Sequence, residues 1–274
     1  MYNPYRAPTP EPTFGQVLPP EPPEPPRFIV PTSPPRVSRL LLGVNLLVFV
    51  AMILYGYLFY GIWDGPQNLQ VLYDFGAKWN PAIQHGEIWR LFTSMFLHIG
   101  AIHLLFNLYA LYILGPLVEN YFGPWRFLAI YLIGGLFGSV ASYAFSPALS
   151  AGASGAIFGL LGAVTVYFFR YREHFGARGR AVLQNMLIVI GMNLVLGLTV
   201  PNIDNWAHMG GLLGGALTAW GLLPRYRIPR QVRPGVQPLE VEHRLGPELG
   251  WLLFCTALLL LFFQVANFLG APTL

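Results

Sequence analysis

The chain has 274 residues, of which 54% are hydrophobic and only 10% charged, and its formal net charge is +4. A soluble domain carries about 25% charged residues, so this balance, with a mean hydropathy of +0.51, excludes a soluble globular protein and indicates an integral membrane protein. A single cysteine, Cys255, excludes an intrachain disulfide and a thiolate metal cluster.

Residues 1–35 hold about half of the 25 prolines, mixed with Glu, Thr and Ser. Such a stretch buries too little apolar surface to offset its ordering entropy, so a disordered, proline-rich tail is expected, with no partner identified for it. No cleavable signal peptide is expected, because the first apolar run begins too late and is too long. That run, Leu40 to Tyr60, is long enough to cross a bilayer core. The loop 61–100 carries Asp64, Asp74, Lys78, His85, Glu87 and the pair Trp89-Arg90 among aromatic and apolar residues. This pattern suits a structured segment lying in the membrane interface.

Further apolar spans follow at about 101–119, 125–146, 154–169, 183–199, 206–223 and 250–269, making seven. Helix is their expected state, because backbone facing lipid must satisfy its own hydrogen bonds and the alternation of barrel strands is absent. The expected fold is an all-α polytopic bundle. It divides into a cytoplasmic tail (1–35), a six-span core (36–223), a basic cytoplasmic linker (224–248) and a seventh span with a short tail (249–274).

Arginine placement orients the bundle. Arg170, Arg172, Arg178 and Arg180 follow span four; Arg225, Arg227, Arg230, Arg233 and Arg244 follow span six. With Arg36, Arg39 and Arg126 they mark one side, and the positive-inside rule makes it cytoplasmic. The N-terminus is then inside, and the long first loop outside.

Depth follows from direction. Span two runs inward, so His103 and Asn107, one helical turn apart, share a face in its outer third. Span four covers only about 24 Å at 1.5 Å per residue, against a core of about 30 Å. Ser154, at its outer start, is thus expected several ångströms below the surface, and the irregular stretch before it must line a wet, protein-walled cavity. His208 lies just inside the outer start of span six.

Four side chains suited to acyl transfer therefore share one level. A serine hydroxyl needs a base, and His208 is the natural one. The developing oxyanion needs donors, which His103, Asn107 and the backbone N–H groups of Ser154 and Gly155 can supply. No carboxylate falls at this depth; Asp204 is read as a solvated loop residue or helix cap, leaving a Ser–His dyad. A Ser–Lys dyad is excluded because Lys78, the only lysine, lies in the outer loop. An intramembrane aspartyl pair and an HExxH zinc site are excluded because the residues are absent from the spans.

These residues resemble those of the rhomboid intramembrane serine proteases over about Leu40 to Leu223. The family's Gly-x-Ser-Gly matches Gly152, Ser154 and Gly155, and its His-x-x-x-Asn matches His103 and Asn107. Its Ala-His-x-x-Gly-x-x-x-Gly matches Ala207, His208, Gly211 and Gly215. Trp89-Arg90 and the set Gly115, Glu119 and Gly123 match two further motifs. The terminal seventh span resembles the secretase-like "six plus one" subclass.

The resemblance implies an endopeptidase acting on single-pass transmembrane substrates, within membrane lipid, in the plasma (inner) membrane of a prokaryote, with its site open to the extracytoplasmic side. It implies no cofactor, no metal and no nucleic acid. Phe158 stands where some members carry a Tyr that packs on the catalytic histidine, and the packing role is expected to survive. Arg90 and Glu119 are expected to be structural anchors, and His98 to bond loop backbone. Span five is the expected lateral gate. A proteolytically inactive membrane chaperone or adaptor is the alternative, against which both dyad residues speak.

Overall fold

The computed structural model describes residues 25–200, 203–242 and 244–273. Ten α-helices occur among them: α1 (Val37–Tyr60), α2 (Leu69–Asp74), α3 (Asn80–Gln84), α4 (Arg90–Thr93), α5 (Ala101–Phe122), α6 (Pro124–Phe145), α7 (Ser154–Arg170), α8 (Arg172–Thr199), α9 (Asn205–Leu222) and α10 (Leu245–Leu269). Seven of them correspond to the seven apolar spans, and the architecture is the all-α polytopic bundle read from the sequence. Five, α1, α5, α6, α8 and α10, are long and apolar enough to cross a membrane. The shorter α7 and the glycine-rich α9 pack at the centre, where α6, α7 and α9 form the main body of contacts.

Glycine makes that centre possible. A Cβ on Gly211 would collide with the Gly155 carbonyl, and one on Gly215 with the backbone of Gly159. A Cβ on Gly134 would lie 3.2 Å from the Cα atoms of both Gly159 and Gly215. The three backbones therefore touch without intervening side chains, the close approach that small residues allow between membrane helices.

Chain ends sort onto two faces. Glu119, fully buried near the end of α5, accepts hydrogen bonds from the N–H groups of Arg36 (3.0 Å), Val37 (2.9 Å) and Ser38 (2.8 Å). It thereby caps the start of α1, whose first N–H groups have no partner within their own helix. On the same face, Tyr167 and Tyr226 bond at 2.9 Å, and the Tyr171 hydroxyl donates to the Pro224 carbonyl. The opposite face carries the loop 61–100, held to residues 146–152 and to the end of α10.

The seventh helix is pinned to α6 at both ends. Arg126 Nη2 lies 2.7 Å from Glu248 Oε1, with both side chains buried. Far along the two helices, the Tyr143 hydroxyl donates to Asn267 Oδ1 at 2.8 Å, so α6 and α10 run parallel. Removing one member of a buried pair strands the other charge and costs about 3–5 kcal/mol. Glu248→Leu should accordingly lower the thermal midpoint in detergent, and adding Arg126→Met should recover most of the loss. A double variant no better than the single one would show that the pair does not carry the docking.

Several boundaries differ from the sequence reading. Residues 1–24 of the expected tail lie outside the described residues. Within its remainder, Arg27–Ile29 (β1) pairs in parallel with Val236–Pro238, and Tyr226–Arg227 pairs with Glu240–Val241. The basic linker therefore contains short strands, because its carbonyls and N–H groups need partners and the chain entering α1 runs beside it. The seventh helix begins at Leu245, within the stretch assigned to the linker. Helix α8 extends back to Arg172 across a kink at Gly176, where φ is 52° and ψ is −131°.

Candidate active site

Helix α7 starts at Ser154, and its first helical hydrogen bond runs from Ile157 N–H to the Ala153 carbonyl at 2.9 Å. The N–H groups of Ser154 and Gly155 thus belong to the unpaired first turn, where the helix presents its positive end. Ala153 is buried, while Ser154 keeps partial exposure.

The glycine crossing brings the second half of the site to the serine. A Cβ on Gly155 would lie 3.4 Å from the carbonyl oxygen of Ala207, so Ser154-Gly155 and Ala207-His208 face each other across a backbone contact. His208 is buried, and its imidazole stacks on Phe158 with ring centroids 4.2 Å apart and planes 8° from parallel. Among the described residues its Nδ1 has no hydrogen-bond partner. The carboxylate that could have served is engaged elsewhere: Asp204 accepts from Ala207 N–H at 3.0 Å and from the Ser142 hydroxyl. It caps α9, and the imidazole is held by ring contact. No hydrogen bond joins Ser154 to His208 in this structure; such bonds are often long before substrate binds.

His103 reaches the serine from α5. At Gly152, φ is 145°, a backbone conformation that side chains rarely tolerate. A Cβ there would also sit 2.8 Å from His103 Cε1 and 2.9 Å from Nε2, with Ser154 Oγ 3.7 Å away. Gly152 thus lets the imidazole edge approach the loop before Ser154. Ile99 N–H donates to His103 Nδ1 at 3.3 Å, which leaves the proton of a neutral ring on Nε2, the edge beside Gly152. Asn107 is buried one turn below, and its amide donates to the His103 carbonyl of its own helix at 2.9 Å.

The first-loop residues lie away from this cluster and hold the loop together. Arg90, buried, pairs with Glu87 at 2.6 Å and donates to the Tyr73 carbonyl at 2.7 Å, with its guanidinium 4.0 Å above the Tyr73 ring. Trp89 is half exposed and lies against Gly76. His98 is fully buried beside His103, with ring centroids 5.3 Å apart. Burial, reinforced by His103, holds it far below the ordinary imidazole range, at about 3, so it is a neutral packing group.

Two residues that the sequence leaves without a role are central to the loop. Lys78 and Asn80 are buried and bonded to the segment before Ser154. The only cue is that Lys78 is the sole lysine in a chain otherwise furnished with arginine. Among the described residues, no cluster of three or more His, Cys, Asp or Glu side chains could hold a metal ion.

A central helix starting at a partly exposed serine is thus crossed by a glycine-rich helix bearing a stacked histidine. The family model described as the Rhomboid domain matches residues 85–225, and the chain belongs to the rhomboid family. It is 46% identical over 192 residues to Rhomboid protease GluP of Bacillus subtilis (strain 168), covering 70% of this chain and 36% of that protein. It is 41% identical over 161 residues to RHOMBOID-like protein 7 of Arabidopsis thaliana, covering 58% and 50% respectively. RHOMBOID-like protein 5 of the same plant is 35% identical over 187 residues, covering 66% of this chain and 59% of the relative. The chain thus spans between about a third and three fifths of these relatives.

Proposed function

We propose that this chain is an intramembrane serine endopeptidase working with a Ser154–His208 dyad. The observation that carries the reading is the contact of Gly155 with Ala207, which sets the serine opposite the stacked histidine. Ser154 Oγ attacks the scissile carbonyl while His208 takes its proton. The oxyanion receives hydrogen bonds from the N–H groups of Ser154 and Gly155, from His103 Nε2–H and from the second amide hydrogen of Asn107. Collapse of the intermediate expels the amine, which recovers the proton from His208, and water then hydrolyses the ester at Ser154.

Substrates are single-pass transmembrane segments, whose helical backbone must unwind to expose a carbonyl. They enter beside α8, of which only Gly179 and Ile190 are buried. A fluorophosphonate probe should modify Ser154, as read by peptide mapping, and the modification should vanish in His208→Ala. Modification of another serine would refute the dyad.

In the proposed orientation the face bearing the loop 61–100 is extracytoplasmic and the arginine-rich face cytoplasmic, in the plasma (inner) membrane of a prokaryote. In a Cys255→Ser background, cysteines placed at residues 61–63 should react with a membrane-impermeant thiol reagent on intact cells. Cysteines at residues 178–180 should not. The reverse pattern would turn the active site toward the cytoplasm.

A further inference from the structure

The segment 146–153 has almost no regular structure, yet it delivers Ser154 to the start of α7. Backbone outside a helix must find other partners for its carbonyl and N–H groups, and here one side chain and one peptide unit supply most of them. Lys78 Nζ donates to the carbonyls of Ser146 at 2.7 Å and Ala148 at 2.9 Å. The Lys78 backbone exchanges both hydrogen bonds with Ser150, at 2.9 and 3.0 Å. Asn80 Nδ2 adds bonds to the carbonyls of Tyr143 (3.0 Å) and Ser146 (3.1 Å). Gly152 N–H, two residues before the serine, donates to the Ser94 carbonyl at 2.9 Å. Between these ties, Leu149 and Ala151 pack on the apolar cluster of Met52, Val71, Leu72, Ala77 and Leu97.

We propose that Lys78 is a positioning residue for the nucleophile, its ammonium gathering the carbonyls of Ser146 and Ala148 so that residues 146–153 hold Ser154 in register with His208. The inference rests on the dyad reading. Lys78 is 1% exposed, and among the described residues no carboxylate lies within ion-pair distance of it. Its charge is balanced by peptide oxygens of the one segment that must stay still. Burial accordingly pulls the amine down to about 8. A buried charge held on peptide oxygens is costly, and an apolar residue of similar length would fill the same space; the cost has a return only if the carbonyls must be held.

The test compares wild type, Lys78→Met and Lys78→Gln by fluorophosphonate titration in detergent. Titration amplitude counts intact sites, and the second-order rate constant reports their geometry. Displacement of a reacting group by about 1 Å costs about a hundredfold, so Lys78→Met should lose about ten- to a hundredfold in rate constant at full amplitude. On a transmembrane substrate, kcat should fall with KM nearly unchanged. Lys78→Gln, which keeps one N–H donor pair, should fall between. A reporter, Ala151→Cys in a Cys255→Ser background, should react faster with a thiol reagent when Lys78 is replaced.

A reduced amplitude with an unchanged rate constant would overturn the proposal, because Lys78 would then serve folding alone. If Lys78→Met does not fold, the Lys78→Gln rate constant decides in the same way. If wild-type Ser154 does not label, the dyad reading fails instead. The cysteine reporter then still decides whether Lys78 holds the segment, and equal thiol rates would overturn that.

Discussion

With Ser154 or His208 replaced by alanine, turnover of a transmembrane substrate should fall by about four to six orders of magnitude, as when either member of a serine–histidine pair is lost elsewhere. The thermal midpoint in detergent should scarcely move. Ser154 makes no side-chain hydrogen bond that the fold depends on, and the Phe158–His208 stack is one contact in a dense core. Asn107→Ala should be milder, about 10²-fold in kcat with little change in KM, because a lost oxyanion donor typically costs about 10² to 10³ and others remain. The structure sharpens this contrast. The Asn107 amide bonds to the His103 carbonyl of its own helix, so truncation strands no group on another helix. A fall in melting temperature proportionate to the loss of Asn107→Ala activity would refute the donor role.

Valine at Gly211 or Gly215 should be the most damaging change to the fold. Each new side chain would meet backbone of α7, at Gly155 or Gly159, and backbone cannot rotate aside. Overpacking in a core commonly costs about 1–3 kcal/mol and occasionally more; here the strain falls where three helices cross, so the upper end or beyond is expected. Ser154 labelling should be lost along with stability, since the same crossing brings Gly155 against Ala207, the neighbours of the proposed dyad. Gly191→Ala is the control. Nothing lies within 4 Å of the added methyl, and replacing a mid-helix glycine by alanine gains about 0.5–1 kcal/mol of intrinsic propensity. Equal melting temperatures for Gly191→Ala and Gly211→Val would show that the crossing tolerates side chains.

What the sequence discloses and what it hides divide along a physical line. The seven helices were legible because hydropathy is a local property that a bilayer enforces residue by residue. Helix rise and direction also convert sequence position into an expected depth, which is how the sequence groups Ser154, His208, His103 and Asn107. Contacts between distant segments had no such ruler. Arg126 and Glu248 stand 122 positions apart, and each alone reads as a solvated end of a helix. Lys78 reads as a loop lysine, and only the return of residues 146–150 alongside it turns the amine into a brace. His98 likewise reads as a loop histidine, and its full burial beside His103 is visible only in the fold. The kink at Gly176 leaves no trace beyond a glycine near arginines.

The plate of Phe158 against His208 has a consequence for how such a site can vary. A carboxylate steadies an imidazole by attraction, which salt weakens and acid abolishes. A phenyl ring steadies it by shape, indifferent to both, and needs no counter-ion to be carried into the lipid interior. Shape is also replaceable in a way that charge is not. Any flat ring of the same breadth can serve at position 158, whereas the imidazole has no substitute in the proposed mechanism. Under that proposal the grip on the base is free to drift among aromatic residues, while the base itself stays fixed.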